Sequence, residues 1–228
     1  FVRFRMDESV LWLEKQQKQR LEKAPLRKIV FGKEHRKAFF LCVFVMTGLV
    51  YMYHGSLGFL PTLLQQFGHI DRVHVAPIMI FATVSSWLGM ILTGWLSQKI
   101  GRKKSMIFFA IGSIILVIPI AYGILGDNLT STVLFVVIYA FVVSTASGPV
   151  PAFFSERFPT EVRNSAAGFA YNGGLIIGSW SPLIAVSLIS LVQKEFIPVA
   201  LGMNIIIGAV ILLIGTLLNP ETKDRDLS

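Results

Sequence analysis

Six stretches of this 228-residue chain contain no Asp, Glu, Lys or Arg: 38–67, 74–97, 105–124, 131–153, 165–190 and 196–219. Each is long enough to cross a hydrocarbon core of about 30 Å, for which an α-helix needs about 20 residues. Core helices of a soluble protein rarely run charge-free for so long, and a helix in lipid satisfies its own backbone polar groups. The sequence therefore predicts an all-α membrane protein with six transmembrane helices. Composition agrees: 54% of residues are hydrophobic, 15% are charged and the mean hydropathy is +0.66. A soluble domain carries about 25% charged residues, and disorder needs low hydrophobicity with high charge. The single cysteine, Cys42, excludes a disulfide scaffold and a multi-cysteine metal cluster.

A formal charge of +8 would suggest nucleic acid if the basic residues formed one face of a folded domain. Their placement points to a bilayer instead. Segment 1–37 holds eleven Lys and Arg, loop 98–104 four (Lys99, Arg102, Lys103, Lys104), loop 154–164 two and tail 220–228 two. These segments share a side if six helices alternate, and the other side carries only Arg72 and Lys194. The positive-inside rule then places both termini in the cytoplasm of a multi-pass protein of the cell (plasma or inner) membrane. Residues 7–24 read as an amphipathic surface helix: Asp7 or Ser9 can cap it, Leu11, Leu13 and Leu21 supply apolar contacts, and Pro25 stops it. A charged cytoplasmic helix leading into six spans reads as the middle connector of a longer protein, so the chain is expected to be a carboxy-terminal half. The domain division is a connector at 1–37, a six-helix bundle over 38–219 and a tail at 220–228.

The loops carry the most specific signals. Gly94-Trp95-Leu96-Ser97-Gln98-Lys99-Ile100-Gly101-Arg102-Lys103-Lys104 follows the second span. Asp7-Glu8-Ser9 stands with Trp12-Leu13 in the connector, Glu156-Arg157-Phe158-Pro159-Thr160-Glu161-Val162-Arg163 joins spans four and five, and Pro220-Glu221-Thr222-Lys223 follows span six. Together these resemble loop motifs of the major facilitator superfamily, in register with its spans seven to twelve. The sugar-porter and metabolite–proton symporter branches are the most similar. The Phe158–Arg163 run and Tyr171-Asn172-Gly173-Gly174 lean toward the metabolite branch, which includes organic-acid and sialate carriers. Two positions depart from the pattern: Gln98 stands where the family has Asp, which removes an ionic latch from that side chain, and Val10 replaces a Pro.

The resemblance implies one half-bundle of a major facilitator fold, pairing with an amino-terminal six-helix half. It implies a midplane cavity lined by the first, second, fourth and fifth spans. On the first span Tyr51, His54, Gly58 and Gln65 fall on one helical face. His54 is an ionisable side-chain type deep within a span; it reads either as a substrate or gating contact, or as a neutral imidazole packing between helices. Gly58 and Pro61 suggest a kink. The second span offers Thr83, Ser86 and Met90, and the fourth Ser144, Ser147, Gly148 and Pro151, where small residues also serve close packing. On the fifth, Asn172 and Ser179 share a face beside Tyr171 and Gly178, and Asn172 suits a polar pocket or an interhelical clamp. Trp95 suits an interface anchor.

No acidic residue lies in any span, so a proton-carrying carboxylate and any substrate-pairing Arg are expected in the amino-terminal half. No hydrolase triad, phosphate loop or paired His ligands stand out. The reading is a secondary transporter half, not an enzyme, moving a small organic solute with protons as coupling ion and no other cofactor. A sugar-type facilitator, or a non-transporting sensor or assembly subunit that kept the fold, is the alternative.

Overall fold

A computed structural model describes Gly32 and residues 35–223, apart from 69, 127 and 161. The expected helix over 7–24 and the tail beyond 223 lie outside the described residues. The first span is built from α1 (Arg36–Ser56) and α2 (Leu60–Gln66), the second is α3 (Arg72–Ile100) and the third α4 (Arg102–Ile124). The fourth combines α5 (Leu129–Thr145) and α6 (Val150–Arg157), the fifth α7 (Arg163–Gly178) and α8 (Ser181–Ser190). A short 3-10 turn (Lys194–Phe196) leads into α9 (Ile197–Leu218), the sixth. All six are long and apolar enough to cross a membrane. They reach past the charge-free windows to include Arg72, Lys99, Arg102 and Arg157, because a helix continues into the polar zone where charged side chains are hydrated.

Three spans break, each where a glycine is followed by a proline a few residues on: Gly58 and Pro61, Gly148 and Pro149 with Pro151, Gly178 and Pro182. Pro61, Pro151 and Pro182 stand in the first turn of the new helix, where the missing N–H has no helical acceptor to lose. Pro77 and Pro119, in contrast, lie inside unbroken α3 and α4.

Packing follows the small residues. The first span lies against the fifth and sixth, the second against the fourth, and the third against the fourth and sixth. Exchanging spans one to three for four to six converts the first–fifth contact into the fourth–second, and the first–sixth into the fourth–third. Two inverted three-helix repeats have this symmetry. Glycines set the approach: a Cβ on Gly148 would collide with the Met90 carbonyl and the Thr93 side chain, and one on Gly48 with the backbone of Leu212. Gly174 and Gly178 meet α1 in the same way, at Met46 and at Thr47 and Val50. Hydroxyls add directional links from the second span to carbonyls of the fourth: Ser85 Oγ to Val137 O (2.8 Å), Ser86 Oγ to Ala140 O (3.3 Å) and Thr93 Oγ1 to Thr145 O (2.6 Å). The first and fourth spans touch little, and that gap positions the cavity described next.

Candidate functional site

Between the first–fifth pair and the second–fourth pair lies a cavity of about 350 Å³. The first span contributes Tyr53 and His54, the fifth Tyr171, the fourth Ser144 and Ser147, and the second Met90. His54 stands in the last turn of α1, about 27 Å along the helix from Arg36 at 1.5 Å per residue, just before the break. Its ring meets the Tyr53 ring edge-on, centroids 5.7 Å apart. Of the sequence-predicted residues, the fold brings together His54, Met90, Ser144, Ser147 and Tyr171. Two further clefts, of about 420 and 390 Å³, open at the end away from the basic loops, one lined by Asp71 and His74 and the other by Lys194 and Glu195.

The other predicted residues lie elsewhere. Tyr51 is buried and donates to Asn204 Oδ1 on the sixth span (2.9 Å). Gln65 lies beyond the helix break and donates to Pro61 O (3.2 Å). The single face expected from Tyr51 to Gln65 does not form, because Leu57–Phe59 interrupt the helix that would have carried it. Ser86 is buried and donates to Ala82 O as well as Ala140 O, tying the second span to the fourth. Asn172 and Ser179 are exposed on this half and donate to carbonyls of their own helix, Gly168 (2.8 Å) and Leu175 (2.7 Å).

At the basic end the loop motifs converge. Gly101 turns the chain from α3 into α4 with φ of +104°, a conformation that favours glycine, and a Cβ there would strike the Glu221 carboxylate. Glu221 accepts from the backbone N–H of Arg102 (2.8 Å) and of Lys103 (3.2 Å), filling the N-cap role at α4 from the end of the chain. Lys103 reciprocates by donating to the carbonyls of Leu217 and Asn219, both at 2.7 Å, at the end of α9. The Arg102 guanidinium donates to Glu156 Oε1 through Nε (3.3 Å) and Nη2 (3.1 Å), and to Ser97 Oγ through Nη1 (2.8 Å). Thr222 Oγ1 donates to the second Glu156 oxygen (2.6 Å). Arg163 Nε donates to Phe158 O (3.2 Å), while Pro159, Thr160 and Pro220 are exposed. Gly94 packs by the Gly148 carbonyl. Glu156, from the last turn of α6, thus supplies the carboxylate partner that Gln98 does not. Trp95 is exposed and lies under the Lys99 ammonium at 3.9 Å from the ring centroid.

Partial burial pushes the Glu221 carboxyl up, but backbone N–H donors from Lys223, Thr222, Lys103 and Arg102 outweigh it and hold it below the usual carboxylate value. A carboxylate depressed in the docked state stabilises docking above its undocked value, and that contribution is lost as pH falls through the depressed one. A spin label replacing Lys223 is therefore expected to be immobile at neutral pH and to gain mobility in acid. Glu221→Gln should leave it mobile at every pH; an immobile label in that variant at neutral pH would contradict the capping role.

The Major Facilitator Superfamily model matches residues 2–182. The chain belongs to the major facilitator superfamily. It is 26% identical over 239 residues to a putative metabolite transport protein of Haemophilus influenzae, covering 100% of this chain and 53% of that protein. It is 28% identical to a probable 4-methylmuconolactone transporter of Cupriavidus pinatubonensis, covering 98% and 50%. It is also 28% identical to a cis,cis-muconate transport protein of Acinetobacter baylyi, covering 68% and 37%. The chain spans about half the length of the first two relatives.

Several site residues escaped the sequence reading. Tyr53 borders the cavity, whereas the sequence points to Tyr51; a tyrosine every two residues gives no periodic preference until the helix's rotation is known. Asn204 is fully buried in an apolar span, and an amide in a membrane segment is itself a signal of a polar contact. Ser97 and Thr222 lie within the recognised motifs, but only folding brings them to Arg102 and Glu156.

Proposed function

We propose that this chain is the carboxy-terminal half of a secondary transporter that moves a small organic solute, an organic acid or related metabolite, by alternating access coupled to protons. The observation that carries this reading is the cavity between two helix pairs, with His54, Tyr53 and Tyr171 on its wall, in a chain of this family. Similarity to a putative metabolite transport protein, a probable 4-methylmuconolactone transporter and a cis,cis-muconate transport protein supports the solute class. The second wall comes from an amino-terminal six-helix half, which also supplies the coupling carboxylate. The basic loops and both termini face the cytoplasm, and the protein resides in the plasma or inner membrane.

The test is uptake of labelled organic acids into proteoliposomes. With the amino-terminal half present, uptake is expected to saturate and to collapse when the proton gradient is dissipated. The 228-residue chain alone is expected to give none. Absence of gradient-driven uptake of any solute by the paired halves, or saturable uptake by this half alone, would overturn the reading.

A further inference from the structure

Hydroxyls and amides within these spans commonly donate to the carbonyl four residues earlier. Thr47, Ser86, Ser113 and Ser187 do so, as do the amides of Asn172 and Asn219. Two fully buried residues depart from that habit. Asn204, in the first half of α9, accepts from the Tyr51 hydroxyl (2.9 Å), while its amide nitrogen has no partner among the described residues. Ser181, the first residue of α8, has a buried hydroxyl that is also without a partner among them. The fifth span breaks at Ser179 and Trp180, immediately before Ser181, so no continuous helix holds the usual acceptor beneath its side chain.

The two leftover groups border one spot. A Cβ on Gly55 would strike the Asn204 amide nitrogen and would lie 3.2 Å from Ser181 Oγ. An amide and a serine hydroxyl are complementary with the amide in either orientation, because the hydroxyl both donates and accepts. Enclosed between helices, neither group has water to turn to, and each disfavours the conformation that leaves it unpaired. A small displacement that brings them together satisfies both at once.

Of the segments that meet here, α8 is the one placed to move. It follows a break, and Pro182 supplies no N–H to its first turn. One narrow buried stripe holds it, Ser181, Ala185 and Ile189, while Leu183 and Val186 stand exposed, and the fifth span is the least enclosed of the six. Asn204, in contrast, sits on an unbroken helix packed against the first and third spans.

We infer that Asn204 is a two-position latch for the outer segment of the fifth span. In the conformation described here Tyr51 is bonded and the Ser181 contact is open. In a second conformation α8 turns at the break, and Ser181 Oγ joins the Asn204 amide while Tyr51 stays bonded. The latch rests for its role on the alternating access proposed above, which requires two conformations of similar free energy.

Spin labels at Leu129 and Leu191, exposed at the start of α5 and just past α8, report the distance between them by pulsed electron paramagnetic resonance. The sample is this chain paired with its amino-terminal half in lipid nanodiscs, in a Cys42→Ala background. Two distance populations are expected. Ser181→Ala is expected to lower one of them about fivefold, the worth of one buried hydrogen bond, and Asn204→Leu to do the same, with no further change in the double variant. Ser86→Ala, which removes a buried hydroxyl from the second–fourth contact, should keep wild-type proportions and so separates the latch from general loosening.

A single population in wild type, unchanged proportions in Ser181→Ala, or additive effects in the double variant would overturn the latch. If Asn204→Leu does not fold, Ser181→Ala alone decides. Solute uptake by the same samples keeps the two readings apart. Uptake with one distance population would remove the latch and leave transport standing. Two populations that shift as expected, with no organic acid taken up, would remove transport and leave the latch.

Discussion

Gly148→Val is expected to reduce the yield of folded, monodisperse protein at least tenfold, with Gly48→Val close behind. At 148 the added Cβ would collide with the Met90 carbonyl oxygen, and at 48 with the Leu212 backbone nitrogen. Backbone cannot rotate aside as a flexible side chain can, so the second and fourth spans, or the first and sixth, must separate. Overpacking alone costs about 1–3 kcal/mol, and separation also forfeits the hydroxyl links beside Gly148. Gly112→Ala is the control, since nothing lies within 4 Å of the site; it should match wild type by size-exclusion chromatography in detergent. Wild-type yield for Gly148→Val would show that the second and fourth spans do not meet there.

Arg102→Ala is expected to lower the thermal midpoint by roughly 10 °C. The side chains of Arg102 and Glu156 are 14% and 15% exposed, so removing the guanidinium leaves a largely buried carboxylate that keeps the Thr222 hydroxyl but loses its cationic partner. Breaking such a pair costs about 3–5 kcal/mol, and each kcal/mol shifts the midpoint of a chain this size by about 2–4 °C. Arg102→Lys should recover only part of the loss, because an ammonium cannot reproduce the contacts of Nε, Nη1 and Nη2. Adding Glu156→Gln to Arg102→Ala should restore stability by about 1 kcal/mol or more relative to the sum of the single changes, since the stranded charge is gone. Strict additivity in that cycle would mean that the observed pair carries no coupling.

The prolines illustrate how far local sequence reaches. Gly58 with Pro61 marked a kink in advance, and the chain does break there. Pro77 and Pro119 are the same residue type in equally apolar helices, yet α3 and α4 run through them. A proline breaks or bends a helix according to whether packing and neighbouring groups satisfy the freed carbonyl, and those neighbours are remote in sequence. The serines and tyrosines divide in the same way. Ser86 and Ser144 are both buried serines in apolar spans. One bridges two helices and the other borders the cavity with no hydroxyl partner among the described residues, a difference set by the neighbouring helix each meets.

The number of spans and the all-helical class follow from the sequence alone, because a charge-free run of twenty or more residues leaves a chain in lipid almost no other choice. The family follows from it too, because loop motifs are local and keep their spacing in any conformation. The tertiary structure decided which face of each helix looks inward. Hydrophobicity, which marks the inside of a soluble protein, is nearly uniform around a membrane helix. Rotation is fixed instead by contacts such as Gly148 on Met90, Tyr51 with Asn204 and Arg102 with Glu156, whose partners lie between 54 and 153 residues apart in the chain.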